Sequence, residues 1–459
     1  MPFKDEGAEK TSKHIIDGLC DEIINNLSVI DGFKVVSRTS AMKYHESGKI
    51  IKKICSENDI PYAIEGRIKK TGSALQIEAN LKDVFKEKIL NTFNFSGTLN
   101  EIFQFQENVS RAIAETFKVK LSTSGEKKTN NYKADNFSVL EYYLKARQEI
   151  FQGQKSGLES AIELLKGGLS KFGDKELLYA GLGTAYWQYL NLGYSNDYDY
   201  LHQIQNCADK IFQMNPNSPL GSQLIGVINY KYGKVDQAAR MFKTSFSANK
   251  NDPVTLYFLS TIYGNLERMK PAKLLAKRLA EIDPVIAMSQ LLPAIIYYFE
   301  GRFQKAYEIG KKAVAQHPED PIIIFYFGVF SAANKRNTES FELFEVNFQK
   351  NPENLYANLG LLFKYALNGT SQMVMQGISD YLSDVAIGDE ELSIWMADIY
   401  SLIGEKELAL KWIQNAAKKG FINYSFFKKY DPFLKNIRKD SNFKEILEDI
   451  KLMNKAFKE

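Results

Sequence analysis

A spacing of 34 residues recurs through the second half of the chain. Pro284, Pro318 and Pro352 are separated by this interval, and two steps back lead to Lys250 and Pro216. Two sets of small residues keep the same interval: Ala238, Ala272, Ala306 and Ser340, and Gly226, Ser260, Ala294 and Gly328. Because the two helices of a hairpin approach closely only where neither carries a bulky side chain, the period predicts a tandem array of helical hairpins.

Large apolar residues fill the intervening positions, among them Ile225, Leu259 and Phe327. The recurrent proline ends the second helix of each hairpin because it supplies no N–H group. This combination of small, large and terminal-proline positions resembles the tetratricopeptide repeat (TPR). Four repeats begin near Pro219, Pro253, Ala287 and Pro321, and looser copies extend the array to about eight hairpins. The resemblance implies a superhelix whose first helices line a concave face.

The first 130 residues have a different periodicity. Helical spacing at His14–Ile30 precedes a strand-like segment, FKVVSR, at Phe33–Arg38 and a second helix near Ile51. Three segments of alternating polarity then predict an antiparallel meander, and a helix follows from Leu99 to Val119. The polar stretch at residues 122–137 is predicted to be a linker.

The segments MPF, DGLCDEIINNLSVIDGFKVVSRTSA, YAIEGRIKKTG, LQIEANLKD and EIFQFQENVSRAIAETF follow one another in this region. Their order resembles the TolB amino-terminal-like domain, an α/β module that precedes TPR repeats in bacterial signalling proteins. The resemblance implies that the first strand, which ends at the equivalent of Pro2-Phe3, is missing or reduced to a stub. The matching motif positions are Asp17, Gly18, Arg38, Thr39, Glu65 and Gly66.

Two interpretations of these motif positions stay open. Gly18 and Gly66 are expected to allow close packing or a strand irregularity. Arg38 and Glu65 either pair across neighbouring elements or contribute to a site for a small molecule or a partner. The predicted fold class is therefore α+β: a TolB-like domain at residues 1–121, a linker at 122–137, an all-α TPR superhelical solenoid at 138–422 and capping helices at 423–459.

Composition and charge exclude several classes of protein. The 459 residues include 59 Lys and Arg against 55 Asp and Glu, a net charge of +4, which excludes a generally basic nucleic-acid binder. Cys20, Cys55 and Cys207 are too far apart for a disulfide framework or a CxxC metal site, so a reducing compartment is expected. Without an apolar run of about 18 residues, no membrane helix is expected. The predicted location is the cytoplasm, or outside it where an upstream anchor exists.

The sequence presents no catalytic constellation. Its four histidines, His14, His45, His202 and His317, are scattered, and the acidic run from Asp389 to Glu391 is attributed to complementarity with a helix dipole. No P-loop, GxSxG, HExxH or kinase motif is found. We therefore expect no enzyme activity, no cofactor and no metal site.

The family frame places eight residues on the concave face: Gln223, Tyr230, Tyr257, Thr261, Leu291, Tyr298, Phe325 and Val329. Phe258, Leu292 and Tyr326 occupy positions at which some relatives carry groups that clamp a terminal carboxylate, so capture of such a tail is not expected. An apolar and aromatic groove suits a peptide with hydrophobic anchors, or another part of the chain itself. Packing of these aromatic residues between repeats is the alternative, and both stay open.

The leading functional hypothesis is a non-enzymatic interaction scaffold or sensory module of a bacterial signalling system. It binds a protein or peptide in the TPR groove, without direct contact to nucleic acid. The alternative is the regulatory part of a class III nucleotide cyclase, a protein kinase or a winged-helix regulator, with the effector domain missing or encoded upstream.

Overall fold

The structure is a computed structural model that describes residues 3–6, 13–28, 30, 32–37, 40–41, 44, 51–72, 74–98, 101–117, 135–152, 154–191, 194 and 199–457. The chain divides into two compact units. Unit 1 comprises Met1–Ile225, Thr244–Pro253 and Glu281–Val285, and unit 2 comprises Gly226–Lys243, Val254–Ala280 and Ile286–Glu459. The division falls inside the repeat array, whereas most of the predicted linker lies outside the described residues.

Unit 1 begins with an α/β module. Its elements are β1 (Lys4–Asp5), α1 (Lys13–Ser28), α2 (Ile51–Glu57), β2 (Tyr62–Thr71), β3 (Ala74–Asp83), β4 (Lys88–Thr98) and α3 (Ile102–Thr116). The sheet order is β1-β2-β3-β4, with β1 parallel to β2 and the other pairs antiparallel. The predicted three-stranded meander is confirmed, and β1 is a stub of two residues at the edge of the sheet.

The core of this module lies between its two longer helices and the sheet. Leu19 and Ile23 of α1 and Val109 of α3 are buried in one cluster with Ile68 and further strand residues. Alternation along β3 puts Leu75, Ile77, Ala79 and Leu81 on the buried face. At Gly66 a Cβ atom would lie 2.7 Å from three atoms of the Phe3 ring. The ring can therefore pack against β2 only because residue 66 is glycine.

The predicted strand at Phe33–Arg38 is wrong for its described part. Residues 33–37 form an irregular segment, and Arg38 lies outside the described residues. This segment bonds to the end of a repeat helix and not to the sheet, since the Ser37 N–H donates to the Ile282 carbonyl at 2.6 Å. Alternating polarity alone could not distinguish these two kinds of partner.

Two hairpins of the repeat array also belong to unit 1. Their helices are α4 (Asp135–Gln152), α5 (Lys155–Phe172), α6 (Glu176–Asn191) and α7 (Asp199–Met214). The glycine-containing segment GLGTAY at residues 181–186 lies within α6. A Cβ atom at Gly183 would lie 2.5 Å from Leu224, so this glycine allows the next helix to approach.

The 34-residue interval reappears in the helix boundaries. First helices are α8 (Pro219–Lys231), α10 (Pro253–Asn265), α12 (Ala287–Phe299), α14 (Pro321–Ala333) and α16 (Leu355–Leu367). Second helices are α9 (Val235–Ala248), α11 (Met269–Ile282), α13 (Phe303–Gln316) and α15 (Asn337–Lys350). The four predicted repeat starts are thus confirmed at the residues named.

The last hairpins are less regular. In the fifth, the second helix is broken into α17 (Ser371–Gly377) and α18 (Asp380–Ile387). Then follow α19 (Glu390–Leu402), α20 (Lys406–Lys418), a π-helical turn at Phe426–Tyr430, a 3-10 turn at Leu434–Asn436, and α21 (Ser441–Ala456). Asp440 caps the last helix, because its carboxylate accepts from the Asn442 N–H at 2.9 Å.

The turn between the helices of each regular hairpin contains one residue in the left-handed region. These residues are Gly233, Glu267, Gly301, Lys335 and Gly369, with φ between 62° and 77°. They keep the 34-residue interval although only three are glycine. Each turn therefore reverses the chain in the same way, at a cost in backbone strain at Glu267 and Lys335.

Unit 1 joins its α/β module to the ends of two repeat helices. The buried Asp283 carboxylate accepts hydrogen bonds from the Ser37 hydroxyl and, at 2.8 Å, from the Ser40 hydroxyl. The Asn251 amide donates to the Ser28 carbonyl at 2.7 Å. These bonds hold the irregular segment after α1 against Asn251 and Asp283 within the unit.

Candidate functional site

In unit 2, helix α19 lies against the first helices of the preceding repeats. The Trp395 side chain is fully buried, and its ring centroid lies 5.8 Å from those of Tyr298 and Phe325. The centroids of Tyr326 and Phe363 are 5.9 and 6.3 Å away. Three successive first helices, α12, α14 and α16, therefore contact one side chain of α19.

This contact buries several residues that were expected to line the groove. Leu291, Tyr298, Phe325 and Val329, predicted to face a partner, are buried within unit 2. The rings of Tyr298 and Phe325 pack against Trp395 of the same chain, so these positions belong to the interior in this structure. The expectation of an open apolar groove is therefore corrected at these four positions.

The other four predicted groove residues are partly exposed. Gln223 belongs to unit 1, where its amide donates to Asp252 at 2.7 Å. Tyr230, Tyr257 and Thr261 belong to unit 2. Two of these, Tyr230 and Tyr257, lie beside acidic residues at the start of α19, which the sequence interpretation had not placed near the repeats.

Two glutamates and four tyrosines form what we call the tyrosine–carboxylate cluster: Glu390, Glu391, Tyr230, Tyr257, Tyr326 and Tyr356. The Tyr230 hydroxyl donates to Glu390 Oε1, and the Asn265 amide reaches the same oxygen at 3.4 Å. Tyr326 and Tyr356 have ring centroids 6.2 Å apart. Five helices, α8, α10, α14, α16 and α19, thus supply one small cluster.

Asp389, next to the cluster, has a structural role. Its carboxylate accepts from the N–H groups of Glu391 and Leu392 at 3.1 and 3.0 Å and so caps α19. The interpretation of the acidic run as a helix-start feature therefore holds for Asp389. It does not account for Glu390, whose side chain is buried and bonded to Tyr230.

Burial makes both glutamates weak acids. Desolvation, and then the nearby Asp389 charge, raises the pKa of Glu390 to about 7. Desolvation also raises the pKa of Glu391 to about 8. Desolvation raises the pKa values of Tyr230, Tyr326 and Tyr356 well above their ordinary value, with the glutamate charges adding to the effect.

Within the described residues, no Lys or Arg forms an ion pair with Asp389, Glu390 or Glu391. Lys231 acts on Glu390 only at longer range. The pKa of Lys419 is lowered by burial and by the charges of Lys231 and Lys418. Negative charge on the cluster is therefore not neutralised by a contacting cation from the described part of unit 2.

Tyr326 and Glu391 interact with each other inside the cluster. The Tyr326 side chain is fully buried, and its hydroxyl oxygen lies within electrostatic range of Glu391. The Tyr326 hydroxyl donates to the Glu391 carboxyl, and neither this hydroxyl nor Glu391 Oε1 has another partner among the described residues. Both atoms are buried, although the residues Glu391, Tyr257 and Tyr356 are partly exposed.

A second acidic pair lies further along α19. Asp398 and Asp431 are fully buried and close enough to interact, and desolvation raises the pKa of both. The Asp431 carboxylate accepts from the Phe433 N–H at 2.9 Å, and the Arg438 guanidinium donates to the Asp431 carbonyl. This pair lies between α19 and the turn before α21, in the interior of unit 2, and is not an accessible site.

The TolB-like motif positions do not assemble into a described site. Asp17 and Gly18 lie in α1, where their side chains are outside the described set, and Arg38 and Thr39 are outside it altogether. Glu65 pairs with Lys82 on the neighbouring strand. The proposed pairing of Arg38 with Glu65 thus stays a prediction.

Sequence reasoning missed Glu390, Glu391, Tyr356 and Asp398. A signal was present in the segment ELSIWMADIYSL, where Glu391, Trp395 and Asp398 fall on one face of an otherwise apolar helix. Carboxylates on a buried face require partners or an unusual protonation state. That rule, applied to α19, would have singled out these acids.

The helical part of the chain has the architecture of tetratricopeptide repeats, preceded by a small four-stranded module. No family model matches the chain. A curated relative, "Putative adenylate cyclase 3" from Rhizobium meliloti (strain 1021), is 25% identical over 152 residues, which are 33% of this chain and 26% of that protein. The chain therefore spans about a quarter of the length of this relative.

Several solved structures are similar at low identity. A tetratricopeptide repeat protein from Parabacteroides merdae ATCC 43184 is 14% identical, with a TM-score of 0.38, over 60% of this chain and 99% of its own. Human IFIT1, solved as a dimer with PPP-AAAA, is 13% identical, with a TM-score of 0.40, over 78% and 90%. The APC/C hetero-tetramer Cut9–Hcn1 is 15% identical, with a TM-score of 0.42, over 78% and 72%.

No described helix combines the length and the apolar composition that a membrane span requires.

Proposed function

We propose that this chain is a non-enzymatic interaction scaffold that binds a protein or peptide partner through the repeats of unit 2. The observation that carries the proposal is the tyrosine–carboxylate cluster, to which five helices contribute and in which Tyr257, Tyr356 and Glu391 are partly exposed. Repeat helices present such residues from several hairpins at once, which suits an extended or irregular ligand. Tyr230 and Thr261 extend the same surface.

The α/β module is proposed to be TolB-like and to serve a bacterial signalling system from the cytoplasm. Its element order, a short strand, two helices, a three-stranded meander and a final helix, supports the resemblance. The bonds from Asp283 and Asn251 support a role as a fixed part of unit 1.

A second candidate is the regulatory part of a class III cyclase. The 25% identity with the Rhizobium meliloti protein over 152 residues supports it. A kinase or winged-helix regulator has no comparable observation in its favour. Sequencing the gene upstream of Met1 tests this candidate: an in-frame cyclase domain favours it, and an unrelated gene disfavours it.

The scaffold proposal is tested with a photo-crosslinking amino acid placed at Tyr257. The matched control places the same amino acid at Leu452, which is 63% exposed on α21. A defined partner crosslinked through position 257 and absent from position 452 is the expected result. Equal labelling at both positions, or none at 257, contradicts binding at the cluster.

A further inference from the structure

We propose that strand β4 is a dimerisation edge, at which two copies of the chain pair their β4 strands antiparallel and form one continuous sheet. The inference goes beyond the proposed function and does not depend on it. It concerns the outer side of β4, the last strand in the order β1-β2-β3-β4. An unpaired strand edge is a template for pairing with another chain.

The outer side of β4 has no partner strand among the described residues. The strand spans Lys88–Thr98 and pairs with β3 alone. Natural sheets protect such an edge with charged side chains, with proline or by keeping the strand short. Residues 89–98 contain neither a charged residue nor proline. In contrast, β2, which only the β1 stub separates from the opposite edge, carries Arg67, Lys69 and Lys70.

The register of the sheet determines which backbone groups of β4 point outward. The Glu6 N–H donates to the Ile68 carbonyl at 2.9 Å, so the backbone of Ile68 faces β1. Successive strand residues direct their N–H and C=O groups to opposite sides, and opposed residues of an antiparallel pair either both face each other or both face away. Followed through β2 and β3, this rule directs the backbone groups of Thr92, Asn94 and Ser96 away from β3.

Local hydrogen bonds agree with this direction. The Thr92 N–H donates to the side-chain oxygen of the neighbouring Asn91 at 2.9 Å, and the Thr98 N–H donates to the Glu101 carboxylate at 2.7 Å. Both acceptors lie outside β3. In the dimer Thr92 exchanges its local bond for a bond to the second copy, whereas Thr98 lies at the end of the paired segment and keeps its own.

The sequence around Asn94 favours a second copy as the occupant of this edge. Residues 92–96 read Thr-Phe-Asn-Phe-Ser, which is nearly the same in both directions. An antiparallel pair with its two-fold axis at Asn94 therefore places Phe93 opposite Phe95 of the second copy, and Thr92 opposite its Ser96. Aromatic pairs and hydroxyl pairs are favourable cross-strand neighbours, and no like charges meet. A strand from a different protein would not require this symmetry.

Two phenylalanines of β4 gain cover from the pairing. Phe93 and Phe95 are partly buried against the core of the α/β module, and the Phe95 ring centroid lies 5.4 Å from that of Phe105. Their neighbours on β3, Ala79 and Ile77, are buried. A second copy extends the covered face of the sheet to these two rings, and the removal of apolar surface from water stabilises the dimer.

The test is the oligomeric state of the full chain, measured by analytical ultracentrifugation over a range of concentrations. The wild type is expected to dimerise. Asn94→Lys places two like charges opposite each other at the two-fold axis and should raise the dimer dissociation constant at least about tenfold. Gln76→Lys is the matched control, because Gln76 is exposed on β3, opposite Ser96 and one strand in from the edge. It should leave the dissociation constant unchanged.

A cysteine at the axis tests the geometry of the pair. In Asn94→Cys the two introduced residues face each other with Cα atoms about 5.5 Å apart, a separation that a disulfide spans. Mild oxidation is expected to link two chains of Asn94→Cys and not two chains of Gln76→Cys. Circular dichroism verifies that each variant is folded.

Each contrary outcome has a definite meaning. A wild-type chain that stays monomeric overturns the inference, and so does a dimer whose dissociation constant Asn94→Lys leaves unchanged. A dimer in which Asn94→Cys does not form the disulfide overturns the two-fold axis at this residue. A monomeric chain that takes up a strand of another protein at β4 overturns the second copy as the occupant.

Discussion

Tyr230 donates a hydrogen bond to Glu390, a residue 160 positions later in the chain. Tyr230 lies near the end of α8, and Glu390 is the first residue of α19. The bond therefore joins the first repeat helix of unit 2 to the last hairpin. Its consequence is that the tyrosine–carboxylate cluster forms only when the intervening repeats have folded.

The raised pKa values predict that stability falls as pH rises. An unfolded glutamate titrates near 4.5, whereas in the folded chain the pKa of Glu391 is about 8 and that of Glu390 about 7. Their contribution is complete below about pH 4.5 and is lost as pH rises through 7 to 8. We expect the free energy of unfolding to fall by about 6 kcal/mol between pH 5 and 8.5. Urea unfolding at several pH values in this range measures the free energy of unfolding.

Glu391→Gln should reduce that pH dependence and stabilise the protein at pH 8.5, because glutamine is neutral throughout. The groups that face Glu391 are Asp389, Glu390 and Tyr326, with Tyr257 and Tyr356 nearby. Glu448→Gln changes a side chain of α21 that is 61% exposed; it is the control and should leave the pH dependence unchanged. An identical slope in the wild type and Glu391→Gln would contradict the assignment.

Substitutions at two turn glycines distinguish the energetic cost of backbone strain from that of steric overlap. Gly369 has φ 72° and open space within 4 Å of where a Cβ atom would lie, so Gly369→Ala should cost about 1 kcal/mol through strain alone. At Gly301, φ is 77° and a Cβ atom would lie 2.4 Å from the Tyr430 ring, so Gly301→Ala should cost roughly 2 to 4 kcal/mol. Thermal unfolding compares them, and equal losses would contradict the contact with Tyr430.

Close packing between two helices predicts that one substitution reduces the destabilisation caused by another. A Cβ atom at Gly328 would lie 2.4 Å from the Phe344 ring, so Gly328→Ala should destabilise unit 2 by roughly 1 to 3 kcal/mol. Phe344→Leu removes the clashing ring and should make the added methyl group less costly. A double-mutant cycle measures the coupling. Additive effects would show that these two residues do not meet.

Replacement of Asp283 should destabilise the contact of the α/β module with the repeat helices of unit 1. Asp283→Ala leaves the hydroxyls of Ser37 and Ser40 without their buried acceptor, with an expected loss of about 2 kcal/mol. Glu281→Ala removes the salt bridge to Lys34, whose side chain is 63% exposed, and this pair is worth less than about 1 kcal/mol. Hydrogen exchange of residues 33–41 should rise in the first variant and not in the second.

The regular repeats could be predicted from the sequence because their signals are local and recur. Proline and small-residue positions fixed the starts of α8, α10, α12 and α14 at the residues observed. The common turn conformation could not be predicted from the sequence, because Glu267 and Lys335 adopt the left-handed region that normally favours glycine.

The site could not be predicted in the same way. The expected groove residues Tyr298 and Phe325 are covered by Trp395. This contact links distant parts of the chain and produces no periodic pattern in the sequence. The strand expected at residues 33–38 failed for a related reason, because Ser37 bonds to the end of α11. Both errors concern tertiary partners and not local structure.

The measurement that tests the account most directly is a crystal structure of the full chain with the partner captured by photo-crosslinking at position 257. We predict density for the partner against the partly exposed Tyr257, Tyr356 and Glu391, with α19 in place. Density for the partner at a different surface, with the tyrosine–carboxylate cluster unchanged, would contradict the account.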